Sequence, residues 1–233
     1  MAALAQSIRR SAIGLGLFAV ITGGTIAVTQ AFTAQRIQEQ AARAEARALF
    51  EIIPERYHDN EMLRDTVQLP ADATVAGDIP VTAWVARQHG RPTGIILPVT
   101  APDGYSGEIH LLVGLDMDGR ILGVRVTSHK ETPGLGDRIE TKKSDWVQGF
   151  NGQSLGTPPY REWNVRKDGG EFDQFTGATI TPRAVVKAVK NTLIYFRSNR
   201  QDILERLRLP PHSEHRKKSE KHLSGQHQTT EHS

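Results

Sequence analysis

Residues 173–181 read Asp-Gln-Phe-Thr-Gly-Ala-Thr-Ile-Thr, which sets three hydroxyls, Thr176, Thr179 and Thr181, around the pair Gly177 and Ala178. Such a turn is suited to phosphate when a helix follows, because the first N–H groups of a helix are unpaired and lie at the positive end of its dipole. Gly177 lets the chain turn closely enough to aim those groups. A threonine hydroxyl placed there can hydrogen-bond a phosphate or be esterified to one. The same residues also suit a plain turn into a Thr-capped helix, so spacing alone leaves both readings open. Earlier in the chain, residues 129–136 read His-Lys-Glu-Thr-Pro-Gly-Leu-Gly. Taken alone they are a strand end followed by a Pro-Gly turn on a surface loop.

The elements around these segments are legible. Thr181 is suited to an N-cap and Pro182 to the first helical position, and Val185, Val186, Val189, Leu193 and Tyr195 or Phe196 form an apolar stripe, which predicts a helix reaching Arg197 or beyond. A further helical stretch over 202–209 ends at Pro210-Pro211. Upstream, 81–87 and 93–99 are β-rich runs separated by His89-Gly90-Arg91-Pro92, which predicts a hairpin. A second pair, 108–115 and 121–128, is joined through Asp116-Met117-Asp118-Gly119 with a tight Asp-Gly turn. Apolar residues of the last run keep to no single face, which predicts a largely buried strand or a bulge at Gly123. Residues 142–150 predict a short helix with Trp146 and Phe150 on one side. Over 57–79 no period emerges and no element is assigned. The class expected is α+β, a mainly antiparallel sheet packed by helices.

The N-terminal end is apolar or small and uncharged from Ser11 to Ala31, after the pair Arg9 and Arg10. About 20 such residues span a bilayer as a helix, so residues 11–32 are read as a transmembrane anchor. A cleaved signal peptide is the rival reading, with Ala31 in a small-residue cleavage site. The arginines keep residues 1–10 in the cytoplasm by the positive-inside rule and send the rest across the membrane, in a bacterium into the periplasm. Residues 33–53, rich in Ala, Glu, Arg and Gln, are expected to form a stalk helix that stops before Pro54. Residues 54–210 form the folded domain. Residues 211–233, with His212, His215, His222, His227 and His232 among charged and polar neighbours, carry too little apolar surface to offset their ordering entropy and are expected to be disordered.

The chain has no cysteine, which removes disulfides, thiolate-held zinc and Cys-ligated iron–sulfur clusters. A redox role would therefore need an organic cofactor. The net charge of +3 concentrates its basic residues in the tail or scatters them, which argues against nucleic acid. No defined metal shell is expected either, because the tail histidines are irregularly spaced.

The segment Asp173, Thr176, Gly177, Ala178, Thr179, Thr181 resembles the flavinylation motif of the FMN-binding domain family. The segment from His129 to Gly136 resembles, position by position, a signature of the G subunits of Rnf-type (also Rsx) ion-translocating oxidoreductase complexes and of the related C subunit of sodium-pumping NADH:quinone reductase. The two segments lie about 45 residues apart and in the family's order. The resemblance implies a covalent FMN joined by its phosphate to Thr179, with Thr176 as the fallback attachment residue. It further implies that Thr176, Gly177 and Thr181 hold the phosphate and that Glu131, Thr132, Gly134 and Leu135 approach the ring or ribityl chain. A flavin transferase would install the group from FAD with a divalent metal, Mg²⁺. Electron relay requires no acid/base catalyst, and His129 is read as a structural hydrogen-bonder. The partners implied are the other subunits of the membrane complex, and the compact interval between anchor and sheet favours the G subunit over the C subunit. A different class of reading remains beside it, a non-enzymatic periplasmic interaction domain in which the threonine segment is only a helix cap. A role for the tail in sequestering metal is a third.

Overall fold

The computed structural model describes residues 2–208 except 74, 76, 78 and 79, and for helix residues 2–8, 11, 31 and 34–45 it describes the backbone only. Residues 211–233, the segment expected to be disordered, lie outside the described residues. The chain divides into two compact units, Met1–Glu45 and Ala46–Ser233.

The described residues of the first unit are all part of helix α1 (Ala2–Ile52), so the expected anchor and stalk are one unbroken element. Ala12–Gln30 is long and apolar enough to cross a membrane. Its large side chains, among them Ile13, Leu17, Phe18, Ile21 and Ile26, are exposed all round the helix. Thr22, Thr25, Thr29 and Thr33 each donate their hydroxyl to the carbonyl four residues back at 2.8 Å, leaving no polar group of these side chains unpaired.

The second unit is built on an antiparallel meander of five strands in sequence order: β1 (Thr66–Leu69), β2 (Val81–Gln88), β3 (Arg91–Ala101), β4 (Ile109–Asp116) and β5 (Ile121–Ser128). The predicted runs differ from these strands by a residue or two at their ends, and β5 has the predicted bounds. The β2–β3 turn is His89-Gly90 alone, both with positive φ, 52° and 75°, as the right-handed twist of a two-residue hairpin requires. Pro92 therefore belongs to β3, opposite Arg87 and next to the register shift between Ala86 and Arg87. β5 carries two extra residues against β4, Thr127 and Leu122, the second beside Gly123 where a bulge was expected. Strand β1 falls in the stretch that gave no period. It is only four residues long and one of them is fully buried, too little for alternation to show.

Both faces of the sheet are covered, which is why the strands read as nearly continuous apolar runs. On one face Val85, Ile95, Leu97, Leu111, Val113 and Val124 pack with helix α2 (Ile180–Ser198) and helix α3 (Arg200–Arg208). All six residues of the predicted stripe of α2 are buried there. On the other face Ile96, Leu112 and Ala86 meet Leu49, Ile52 and Ile53 from the end of α1 and just beyond it. Gly94, Gly114 and Gly123 make room for that contact, since a Cβ on each would lie 2.7 Å from Ile53 Cδ1, 2.2 Å from Ile52 Cγ2 and 3.3 Å from Ile52 Cα.

The connection from β5 to α2 has no long regular element. The expected helix over 142–150 is a 3₁₀ turn, Trp146–Phe150, because residues 140–144 turn back on themselves first, with Ser144 N–H bonding Glu140 O at 3.1 Å and Ser144 Oγ bonding Arg138 O at 2.5 Å. Aromatic packing holds this connection together. Phe150, Trp163 and Phe172 form a triangle of rings (Phe150–Phe172 4.6 Å, Trp163–Phe172 5.1 Å, Phe150–Trp163 6.3 Å), and Trp146 meets Phe150 and Phe175 edge-on at 5.3 and 5.1 Å. Each fully buried ring of this kind contributes about 1.5–3 kcal/mol through burial alone, enough to order a segment that lacks regular hydrogen-bond ladders.

Candidate functional site

Two turns of the same kind face each other across a pocket. In the first, Thr132-Pro133-Gly134-Leu135, Leu135 N–H bonds Thr132 O at 3.1 Å, and Gly134 holds φ +79° at the position where a Pro-Gly turn needs it. Asp137 Oδ1 fixes this turn by accepting Gly134 N–H at 2.8 Å. In the second, Phe175-Thr176-Gly177-Ala178, Ala178 N–H bonds Phe175 O at 3.1 Å and Gly177 has φ +83°. A Cβ on Gly177 would come 3.5 Å from Leu135 Cδ2, so the two turns are in contact.

Helix α2 begins directly after the second turn, and Thr179 rather than Thr181 occupies the N-cap position. The expected N-cap, Thr181, is buried in the first turn. Its hydroxyl donates to Glu131 Oε2, a partner that lies inside the protein and draws it away from the orphan N–H groups. Thr179 has helical φ and ψ, −81° and −28°, and its side chain makes no capping bond. Its hydroxyl is therefore uncommitted at the mouth of a helix whose first N–H groups have no intrahelical acceptor.

Glu131 is the buried hub of the site, 3 % exposed. Its Oε1 accepts Ser106 N–H at 2.9 Å, and its Oε2 accepts the Thr181 hydroxyl. Gly136 allows this, since a Cβ there would lie 2.9 Å from Glu131 Cβ and 3.0 Å from Thr181 Oγ1. The main-chain N–H of Glu131 donates to His129 Nδ1 at 3.0 Å, which leaves the imidazole proton on Nε2, where it donates to Glu140 Oε1 at 3.0 Å. His129 thus orients Glu131 and is itself fixed at both nitrogens. Near the start of α2, Arg183 grips Asp168 with Nε and Nη2 at 2.6 and 2.9 Å, and that hydrogen-bonded guanidinium holds the Asp168 carboxyl below its ordinary value.

The pocket encloses about 280 Å³. Of the residues predicted for the site, Glu131, Thr132, Leu135, Gly177, Ala178, Thr179 and Thr181 line it, although the two segments are far apart in sequence. Gly134 shapes its turn, Thr176 is exposed on the second turn, and Asp173 is exposed, pairs with Arg166 at 3.2 Å and receives Trp146 Nε1 on its carbonyl at 2.7 Å; these three do not line it. Three lining residues were not among the predicted site residues: Gly136 and Ile180, which lie within the two segments, and Tyr105, which lies outside them. The available signal for Tyr105 was a lone aromatic inside the turn-rich run Asp103-Gly104-Tyr105-Ser106-Gly107 between two strands. Among the described residues no group of His, Asp and Glu has the grouping to hold a metal ion.

This donor set fits the phosphate end of a flavin nucleotide. It offers unpaired N–H groups at a helix start, a free hydroxyl, two glycines where a Cβ would fill or strain the cradle, and an apolar edge from Leu135 and Ile180. Residues 104–194 match the family model described as FMN-binding domain, and residues 1–52 match the RnfG N-terminal region. A curated relative from Pseudomonas aeruginosa (strain UCBPP-PA14) is 53 % identical over 203 residues, 87 % of this chain and 95 % of its own length. A relative from Shewanella loihica is 49 % identical over 86 % of this chain and 95 % of its own, and one from Vibrio vulnificus is 45 % identical over 85 % and 94 %. All three are named as the G subunit of an ion-translocating oxidoreductase complex. With identity at this level across almost the whole length of those relatives, and with both turns meeting at one pocket, the chain belongs to the family of G subunits of ion-translocating oxidoreductase complexes.

Proposed function

We propose that this chain is the electron-relay subunit of a membrane-bound Rnf-type ion-translocating oxidoreductase complex, and that it carries FMN joined through a phosphoester to Thr179. The observation that carries the reading is the position of Thr179: on the pocket wall, at the start of α2, with its hydroxyl free of any capping bond. When bound, FMN supplies a centre that takes up and releases electrons one or two at a time.

The chain's own residues bind and orient it. The main-chain N–H groups of Ile180 and Thr181 would receive the phosphate, since Pro182 has none and that of Arg183 bonds Thr179 O at 3.3 Å, and Gly177 allows the close approach. Thr181 contributes through its main chain, because Glu131 engages its hydroxyl. Thr176, exposed on the turn, would flank the phosphate from outside the pocket. Leu135, Thr132 and Ala178, which line the pocket, would border the ribityl chain and ring. Attachment follows from a flavin transferase acting on FAD: the Thr179 oxygen bonds to the flavin-side phosphorus, the diphosphate P–O bond breaks, AMP leaves, and the hydroxyl proton passes to solvent. Mg²⁺ on the transferase offsets the phosphate charge. A pocket of this volume encloses only part of FMN, leaving the rest at the surface where a partner protein of the complex can reach it for electron exchange.

Ala12–Gln30 supports a single-pass anchor in the bacterial inner membrane, since its apolar surface runs all round and its threonines are satisfied within the helix. Arg9 and Arg10, ahead of the apolar stretch, support the reading of a cytoplasmic N-terminus and a periplasmic FMN domain. A covalent bond would keep the cofactor from diffusing away from the protein.

The test is Thr179→Val in protein matured by the transferase. The variant should fold and show no flavin fluorescence on a denaturing gel. Parental fluorescence in that variant, with loss in Thr176→Val instead, would move the attachment to Thr176.

A further inference from the structure

We infer that Tyr105 is the aromatic platform for the flavin ring and that Glu131 holds it in place; the inference rests on the reading that FMN is attached at Thr179. Tyr105 lines the same pocket as Thr179 and Gly177, yet its side chain is 67 % exposed. A large aromatic with two-thirds of its surface in water stabilises the fold little, so its ring is available to a ligand.

The loop that carries it is fixed from three sides. Lys187 of α2 pairs with Asp103, Ser106 N–H donates to Glu131 Oε1 at 2.9 Å, and the chain folds so tightly that a Cβ on Gly104 would lie 2.1 Å from Gly107 O. Gly107, at φ +126°, completes a conformation that other residues rarely adopt. None of these contacts uses the Tyr105 ring, so the loop is ordered while its aromatic stays uncommitted. Glu131 joins this loop to the start of α2, because its other oxygen receives the Thr181 hydroxyl two residues from Thr179. One buried carboxylate therefore sets the spacing between the attachment residue and the aromatic. An isoalloxazine tethered at Thr179 presents a broad π-face, and stacking on a rigid ring with only two side-chain torsions fixes its orientation at small entropic cost. Leu135 borders the same space from the other turn.

The experiment compares parent, Tyr105→Phe and Tyr105→Ala in the full-length, flavinylated protein. A phenol in contact with an excited flavin quenches it by electron transfer, whereas a phenyl ring stacks without quenching. Native flavin fluorescence, normalised to the covalent flavin measured after denaturation, should rise several-fold in both variants. The visible circular dichroism of the flavin should be kept in Tyr105→Phe and collapse in Tyr105→Ala. Native fluorescence and dichroism equal to the parent in Tyr105→Ala would overturn the platform while leaving the attachment intact. A parent without covalent flavin would instead overturn the reading on which the platform rests.

Discussion

Glu131 and Thr181 stand 50 positions apart in sequence and share one buried hydrogen bond, the Thr181 hydroxyl donating to Glu131 Oε2. This contact joins the strand-end segment to the helix that starts at the threonine cluster. It turns two separate loops into one pocket.

Thr181→Val keeps the shape and removes the donor, leaving a buried carboxylate oxygen short of a partner, which costs about 1–3 kcal/mol. Glu131→Gln costs less, because its carbonyl oxygen can still accept Ser106 N–H while its NH₂ donates to Thr181 Oγ1. Denaturant unfolding followed by tryptophan fluorescence ranks the two. A Glu131→Gln penalty equal to or above that of Thr181→Val would show that charge, and not pairing, is what this site requires.

Gly136 and Gly177 should fail for different reasons. Gly136 has ordinary φ, −83°, but a Cβ there meets Glu131 Cβ at 2.9 Å and Thr181 Oγ1 at 3.0 Å, so Gly136→Ala crowds the hub at about 1–3 kcal/mol. Gly177→Ala has room, 3.5 Å to Leu135, and is strained by φ +83° at about 1–2 kcal/mol. Gly177→Asn should be milder than Gly177→Ala, since Asn tolerates that backbone region. Equal unfolding midpoints for these two Gly177 variants would remove backbone strain as the cause.

At high pH the phenol of Tyr195 should limit stability. Burial, and then the charges of Asp72 and Asp202, push its pKa up from 10.0 to about 12, opposed by Arg206. The unfolded chain releases the proton first, so this contribution is whole below about pH 10 and is lost as pH rises to about 12. Tyr195→Phe loses the 2.9 Å bond to Pro70 O, about 1 kcal/mol at neutral pH. The gap between parent and variant should then narrow between those two pH values. A gap independent of pH there would contradict the shift.

By itself the sequence determined what local chemistry can encode. β-rich runs and turn residues marked β2 to β5, with β5 at its observed bounds, and the 3.6-residue stripe marked α2. The uncharged, mostly apolar run of residues 11–32 marked a helix long enough to cross a membrane, and the two short segments carried the resemblance to the family. Tertiary structure alone decided what depends on residues far apart in the chain. Thr181 has the side chain of a cap, but a buried acceptor on another loop outcompetes the orphan N–H groups, which moves the start of α2 back to Ile180 and leaves Thr179 uncommitted. Gly123 reads as a bulge signal, yet with Gly94 and Gly114 it forms the bed for Ile52 and Ile53, a role no single strand reveals. Tyr105 reads as an isolated loop aromatic until Glu131 fixes its loop beside Thr179. Propensity and period are properties of neighbours along the chain, whereas burial of a carboxylate and the pairing it demands are properties of the packed core.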